Sequence, residues 1–519
     1  MRLRVLAVAA ATTIVIAACQ PFSSTPQPAP PSATVAPQAQ LQKFYDQSLD
    51  WQPCREDPQV LKHTEGQLRD KSYRCARMQV PLDYANPEGE TITLQLARYS
   101  TSGGAKTPLL FNPGGPGGGA VSSLKYMARD VFSPEVTGEY DLVAVDPRGV
   151  GLSSPVQCFS AAQTDRERSQ TMSTSVAEVL ADGARLGQQC VEEAGELVKF
   201  ADTDSVVKDF DVVRAVLGQE KLNYVGFSYG TFIGALYADE FPSQVGRFVL
   251  DGAMDPSSSI GDIARGQAGG FEASVTHWLQ TAAAQESSDW PLASDPEAAK
   301  RELRQWLDGL EEHPLPTAYP KRPLTRSLAF SALLASMYSQ ATYDYASAGL
   351  RQAMNDEDGS FLLQIADTYA RRAPDGTYRD NSYDAFLVVN ALDYEASGSE
   401  DEWEQQARQL SADFPTVGSE FAFSEAGIQS WPVESKKVRR NVTGAGAAPI
   451  LVVGTRHDPA TPYVWAQALA QQLESATLLT WEGWDHCAYS SAESGSCVRE
   501  AIDDYLLDGD LPEDGFVCQ

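Results

Sequence analysis

The sequence predicts an α/β protein: one mostly parallel sheet with flanking helices, interrupted by a large helical insertion. Three observations carry that prediction. Short apolar runs alternate with helical patterns up to about Asp255, and the alternation resumes at Pro449. Between those points helical patterns dominate, with scattered Trp and Tyr and dense charge such as Asp356-Glu357-Asp358. Finally, several apolar runs end directly in glycine-rich or acidic loops, as happens where open parallel sheets bind ligands at strand carboxyl ends.

Composition narrows the function classes. The 519 residues carry 40 Lys and Arg against 70 Asp and Glu, a formal charge of −30. That charge excludes sequence-independent nucleic-acid binding, which needs clustered cations to displace counterions. A hydrophobic content of 43% fits a globular protein, neither disordered nor a membrane bundle. With five histidines, no CxxC, no Walker A and no dinucleotide fingerprint, neither a metal nor a cofactor is expected.

The elements follow in order. Arg2 and Arg4 precede the apolar run Val5–Ile16, too short for a permanent span, so residues 1–18 read as an export signal. Its end, Ile16-Ala17-Ala18-Cys19, matches a lipobox, which makes Cys19 the lipidation site. Gln20–Gln40 holds six prolines and no apolar periodicity, the composition of an extended tether, assigned to residues 19–45. The core begins at 46. Tyr73–Leu82 and Thr91–Ala97 read as strands, and Pro108–Asn112 as a brief strand running into Pro113–Gly119, a loop no helix tolerates. Tyr140–Val145 is a buried strand before Asp146-Pro147-Arg148-Gly149. Val206, Phe210, Val213 and Leu217 share a helical face that Thr203 or Asp204 would cap. Leu222–Val225 is a strand, Thr231–Asp239 a helix and Arg247–Leu250 a strand, closing the first part of the core at 254. Residues 255–445 form the helical cap. Residues 446–519 complete the core with strands Pro449–Val453 and Thr477–Trp481, a helix from Thr461 and another over Val498–Leu507.

Export places the cysteines in an oxidising compartment. Setting Cys19 aside, proximity pairs Cys54 with Cys75 and Cys158 with Cys190, and one further pair is drawn from Cys487, Cys497 and Cys518.

Gly226-Phe227-Ser228-Tyr229-Gly230 matches G-x-S-x-G between a strand and a helix, the context that gives the motif meaning. It places a serine in a strained turn whose glycines let strand and helix pass closely. Acid and base should follow in the order Asp or Glu, then His. His313 sits before Pro314 in the insertion and reads as a surface residue. Asp458 and His486 each follow a core strand and are the candidate acid and base, with His457 and Asp485 as rivals. In this reading His486 takes the proton of Ser228 and Asp458 fixes the imidazole tautomer. The oxyanion donors are the N–H of Tyr229, at a helix N-terminus, and a second from the Gly114–Gly119 loop, Gly115 first and Gly114 next.

With these residues in place, the chain resembles the actinobacterial tripeptidyl-aminopeptidase and carboxylesterase A group of α/β-hydrolases, related to prolyl aminopeptidases. The resemblance rests on Asn112–Gly119, Asp146-Pro-Arg-Gly, Gly226–Gly230 with Leu250–Pro256, His457–Tyr463 and the ending Tyr505–Cys518. It implies an α/β-hydrolase fold with a cap over the site, a secreted or lipid-anchored location and the triad Ser228, Asp458, His486. It also implies release of short peptides from N-termini, or cleavage of small esters. Relatives carry further cap cysteines that are missing here at Ala391 and Gly427–Trp431. Cys487 lies outside the family pattern; if Cys497 pairs with Cys518, it is a free thiol facing the site rim.

The expected function is thus an exported lipoprotein serine hydrolase, an aminopeptidase first, with a carboxylesterase or acyl-transferase on small esters or envelope lipids as the alternative. A monomer is expected, with a peptide or ester substrate and no nucleic-acid partner. Membrane contact is expected through the N-terminal lipid alone, on the outer face of the cytoplasmic membrane or after release from it.

Overall fold

The computed structural model describes residues 38–101, 106–170, 173–285 and 289–519. The expected leader, the expected lipidation site at Cys19 and the start of the expected tether lie outside them.

Among the described residues ten strands form one sheet: β1 Gln52–Pro53, β2 Tyr73–Pro81, β3 Thr91–Tyr99, β4 Thr107–Asn112, β5 Tyr140–Val145, β6 Leu222–Phe227, β7 Val245–Asp251, β8 Ile450–Thr455, β9 Ala476–Trp481 and β10 Phe516–Cys518. Their spatial order is β1-β2-β3-β5-β4-β6-β7-β8-β9-β10. The β1/β2, β2/β3 and β3/β5 pairs are antiparallel, and every pairing from β5/β4 to β9/β10 is parallel. The central strands read as unbroken apolar runs because both faces are covered. All six residues of β5 and of β8 are buried. Leu110, Tyr224, Phe248 and Val452 pack on one face of the sheet, and Phe111, Val225, Val249 and Leu451 on the other.

The helices that matter to the site are α1 Gln38–Tyr45, α2 Ala120–Tyr126, α3 Thr203–Val216, α4 Tyr229–Glu240, α5 Ile260–Ala284 and α6 Ser382–Asp393. Helix α1 shortens the expected tether. Residues 38–45 are not extended chain: Phe44 is buried and Tyr45 donates its hydroxyl to Asp211 at 2.8 Å. Asp202, rather than Thr203 or Asp204, caps α3 by accepting the N–H of Ser205.

The chain between β7 and β8 leaves the sheet and forms helices with a hydrophobic cluster of their own around Phe271, Trp278, Leu307 and Leu328. Trp278 is fully buried and donates its indole N–H to Ser347 at 2.9 Å. Three disulfides close short loops, Cys54–Cys75, Cys158–Cys190 and Cys497–Cys518; among the described residues Cys487 is the free cysteine.

The Asp146-Pro-Arg-Gly turn is a structural lock. The buried Arg148 guanidinium donates to both carboxylate oxygens of Asp209, at 2.7 and 2.6 Å, and to the carbonyls of Pro81, Leu82 and Phe200. Tyr84 donates to the same carboxylate at 2.7 Å. Replacing Arg148 by Met leaves the buried Asp209 carboxylate without its cation, held by the Tyr84 hydroxyl, and is expected to cost about 3–5 kcal/mol, read as a shift of the urea unfolding midpoint.

Candidate active site

The parallel strands β4, β6, β7, β8 and β9 deliver their carboxyl ends to one edge, and every candidate catalytic residue leaves from there. Ser228 follows β6 with φ 54 and ψ −123, a left-handed conformation that a non-glycine residue adopts only when its surroundings compel it. Its N–H donates to the Asp251 carbonyl at 2.9 Å, and its own carbonyl accepts from Thr231. The glycines around it answer to contact. A Cβ on Gly226 would lie 2.4 Å from the Gly230 carbonyl, and one on Gly230 2.8 Å from the Asn112 carbonyl.

His486 follows β9 and faces Asp458, which follows β8. The imidazole Nδ1 lies 2.9 and 3.0 Å from the two carboxylate oxygens. The fully buried Asp458 carboxylate also accepts the N–H groups of Ala460 and Thr461 at 2.9 and 2.8 Å, and the Thr461 hydroxyl at 3.0 Å. Burial of the imidazole opposes its charging. The adjacent Asp458, and Asp251 further off, outweigh that and hold the His486 pKa above the ordinary imidazole value. With Nδ1 occupied, Nε2 is the nitrogen left to serve as base.

Asp251, at the end of β7, joins the two halves. Its carboxylate accepts the N–H groups of Ala488 and Tyr489 at 2.9 and 2.8 Å, so one residue holds both the serine turn and the histidine loop. Burial raises its pKa to about 6 against those two donors. A Cβ on the next residue, Gly252, would fall 3.3 Å from His486 Cε1 and 2.6 Å from Cys487 Sγ. The serine turn and the imidazole therefore converge on the Asp251–Gly252 backbone.

The rivals point elsewhere. Asp485 accepts from Ser339, Gln340 and Ser491 and so ties the histidine loop to the insertion. His457 and His277 stack on opposite sides of Trp484, with ring centroids 4.1 and 3.9 Å away. His313 is exposed at the end of the helix Pro296–Glu312. Cys487 is not at the rim. It is buried, with Sγ 3.5 Å from the Asp251 carbonyl, and burial with the nearby carboxylates pushes its thiol well above the usual range.

Two candidates for the oxyanion remain. The Gly114 N–H is spent on Asn112 Oδ1 at 2.9 Å, which removes Gly114 from that role. Gly114 instead packs on the serine turn, where a Cβ would meet the Phe227 carbonyl at 2.7 Å and Ser228 Cβ at 2.9 Å. Gly115, and Tyr229 at the start of α4, are left to supply N–H donors.

The sequence did not single out Tyr338, from the insertion. Its carbonyl accepts the His486 N–H at 2.8 Å and its ring stands edge-on to the imidazole at 5.4 Å. Nothing local marks it among the scattered insertion aromatics. Asp251 and Thr461 sat inside quoted motifs, but their roles depend on strand neighbours. The whole arrangement can carry out acyl transfer: a strained hydroxyl, an imidazole oriented by a carboxylate, and backbone donors beside the serine.

The TAP-like protein family model matches residues 415–518. The serine protease Hip1 of Mycobacterium tuberculosis is 33% identical over 492 residues, covering 91% of this chain and 91% of its own. Carboxylesterase B of the same species is 33% identical over 478 residues, 90% of this chain and 89% of its own. A tripeptidyl aminopeptidase of Streptomyces coelicolor is 29% identical over 500 residues, 91% and 86% respectively.

The raised His486 pKa fixes the sign of a pH profile. Because the base must be neutral, kcat/KM should rise with pH along a limb centred above 6.5. Asp458→Asn should move that limb down and lower kcat by about 10,000-fold. A pH–rate series on both proteins checks it.

Proposed function

The chain belongs to the α/β-hydrolase family of serine hydrolases that includes Hip1, carboxylesterase B and tripeptidyl aminopeptidase, and from that premise we propose an exported lipoprotein aminopeptidase. It releases short peptides from substrate N-termini through an acyl-enzyme on Ser228. The carrying observation is the His486–Asp458 pair, 2.9 Å apart, converging with the strained Ser228 turn on the Asp251–Gly252 backbone.

In this mechanism Ser228 attacks the scissile carbonyl while His486 accepts its proton and then returns it to the leaving amine. Asp458 holds the tautomer and the cationic form. The N–H groups of Tyr229 and Gly115 stabilise the tetrahedral oxyanion, a contribution of about 100- to 1000-fold per donor. Water then releases the acyl group by the same path.

Two features favour peptide termini over internal bonds. One of these relatives is named a tripeptidyl aminopeptidase. Tyr338 stands edge-on over His486 and is joined hydroxyl to hydroxyl, at 3.3 Å, by Tyr369, and a site covered in this way takes a chain end more readily than a mid-chain segment. The second reading, a carboxylesterase or acyl-transferase, draws on the exposed rings of Tyr369 and Phe386 beside the site. Cys19 supplies the anchor, with the active domain outside the cytoplasmic membrane.

Free and N-acetylated peptidyl-aminomethylcoumarins, set against p-nitrophenyl esters of increasing acyl length, separate these readings. An aminopeptidase loses turnover on acetylation; preference for esters and indifference to free peptides would establish the alternative. Ser228→Ala should abolish every activity, and its survival would overturn the mechanism. Cys19→Ser should move the protein from the membrane fraction to the soluble one on fractionation.

A further inference from the structure

Helix α6 belongs to the insertion by sequence but is bolted to the core by side chains. Asn381, the residue before it, accepts the Gly151 N–H at 2.9 Å and donates to the Gly149 and Val156 carbonyls at 2.8 and 2.7 Å. In its first turn Asp384 accepts the Cys158 N–H at 2.7 Å. At its far end Asp393 accepts both the N–H of Thr203, at 2.9 Å, and its hydroxyl, at 2.5 Å. The Thr203 oxygen is in turn hydrogen-bonded to the phenol of Tyr229.

Both oxyanion segments are tied to this helix, one by direct contact and the other through Thr203. Gly117, in the loop that carries Gly115, lies against its first turn: a Cβ there would sit 2.7 Å from the Ser382 carbonyl and 3.2 Å from Ala385 Cβ. Tyr229 is reached from the other end, through Thr203. Asp393, Thr203 and Tyr229 are all buried. Burial raises the Asp393 pKa to about 7; in its ionised form the carboxylate only accepts, so it takes a hydrogen bond from the Thr203 hydroxyl and leaves the threonine oxygen to accept from Tyr229. In that form the chain has one sense, and it pins the ring of the residue whose N–H is assigned to the oxyanion. A carboxylate is costly to bury, and Asp393 takes no part in the Ser228–His486–Asp458 chemistry.

We propose that Asp393 is a positioning residue for the oxyanion hole, acting through Thr203 on Tyr229, so that α6 sets the spacing of both oxyanion donors and the insertion is part of the machinery as well as its cover. This rests on the assignment of the Tyr229 and Gly115 N–H groups as oxyanion donors.

The test uses the full chain with Asp393→Asn, Thr203→Val, Thr203→Ser and Tyr229→Phe, active sites counted with a fluorophosphonate. Each is assayed on p-nitrophenyl acetate and for binding of phenylboronic acid, which forms a tetrahedral adduct on the serine. Asp393→Asn and Thr203→Val should each lower kcat per active site about tenfold, with KM within twofold, and weaken the boronate by a similar factor. Thr203→Ser should restore both, and the double variant should be no worse than either single. Tyr229→Phe removes only the phenol hydroxyl and should reproduce the loss if Asp393→Asn fails to fold. Unchanged kcat and boronate affinity per active site, with only a lower Tm, would overturn the proposal. Turnover surviving in Ser228→Ala would instead strike the underlying mechanism.

Discussion

The site depends on one buried residue at the end of a central strand. Asp251 uses its backbone carbonyl to hold the Ser228 N–H, and its carboxylate to hold the N–H groups of Ala488 and Tyr489. Two loops leaving different strands are thereby referred to a single rigid point. Strands β6 and β7 are directly paired, with Phe227 opposite Asp251, so the serine turn begins level with that point. The histidine loop starts two strands further on and needs the carboxylate to reach back across β8. Leaving a carboxylate in such a place is tolerable because two backbone donors meet it.

Around that point the protein builds in layers. Asp458 is saturated by Ala460, Thr461 and Cys487 donors before it meets His486, so its oxygens cannot drift from the imidazole. The histidine loop is then fastened outward, His486 to the Tyr338 carbonyl and Asp485 to Ser339 and Gln340. Those are contacts with the insertion. The cap is therefore no loose lid. It has its own hydrophobic core around Trp278, yet it reaches the chemistry through polar side chains at several separate places.

Much of the fold was legible in the chain because its central strands are buried on both faces and read as unbroken apolar runs. Strand limits moved by only a residue or two, as β8 shows, extending past Val453 to Thr455. The short β10 went unread: Phe516–Cys518 is too brief to carry a pattern, and it forms by pairing with β9 while the Cys497–Cys518 bridge ties it to the helix Gly495–Leu507. Helix α1 was hidden by the proline-rich composition before it, since its helical turns gain from docking Phe44 and Tyr45 more than from propensity. The capping residue of α3 came out one position early, at Asp202, because three successive residues offer a suitable oxygen and only backbone geometry chooses among them.

By itself, the sequence determined the chemistry available: a serine in a G-x-S-x-G turn, Asp458 and His486 after later strands, a glycine loop upstream, and cysteines for three bridges and one thiol. Those depend on residue type and order, which a chain carries directly. Tertiary structure alone decided which groups were spent and which were left for the reaction. Gly114 gives its N–H to Asn112 and drops out, Asp485 turns to the insertion, and Cys487 is sealed against the Asp251 carbonyl. It also brought Asp393 beneath Tyr229 from well over a hundred residues away. A hydrogen-bonding group is free or occupied according to its neighbours in space, and those are set by strand pairing and helix docking, not by adjacency along the chain.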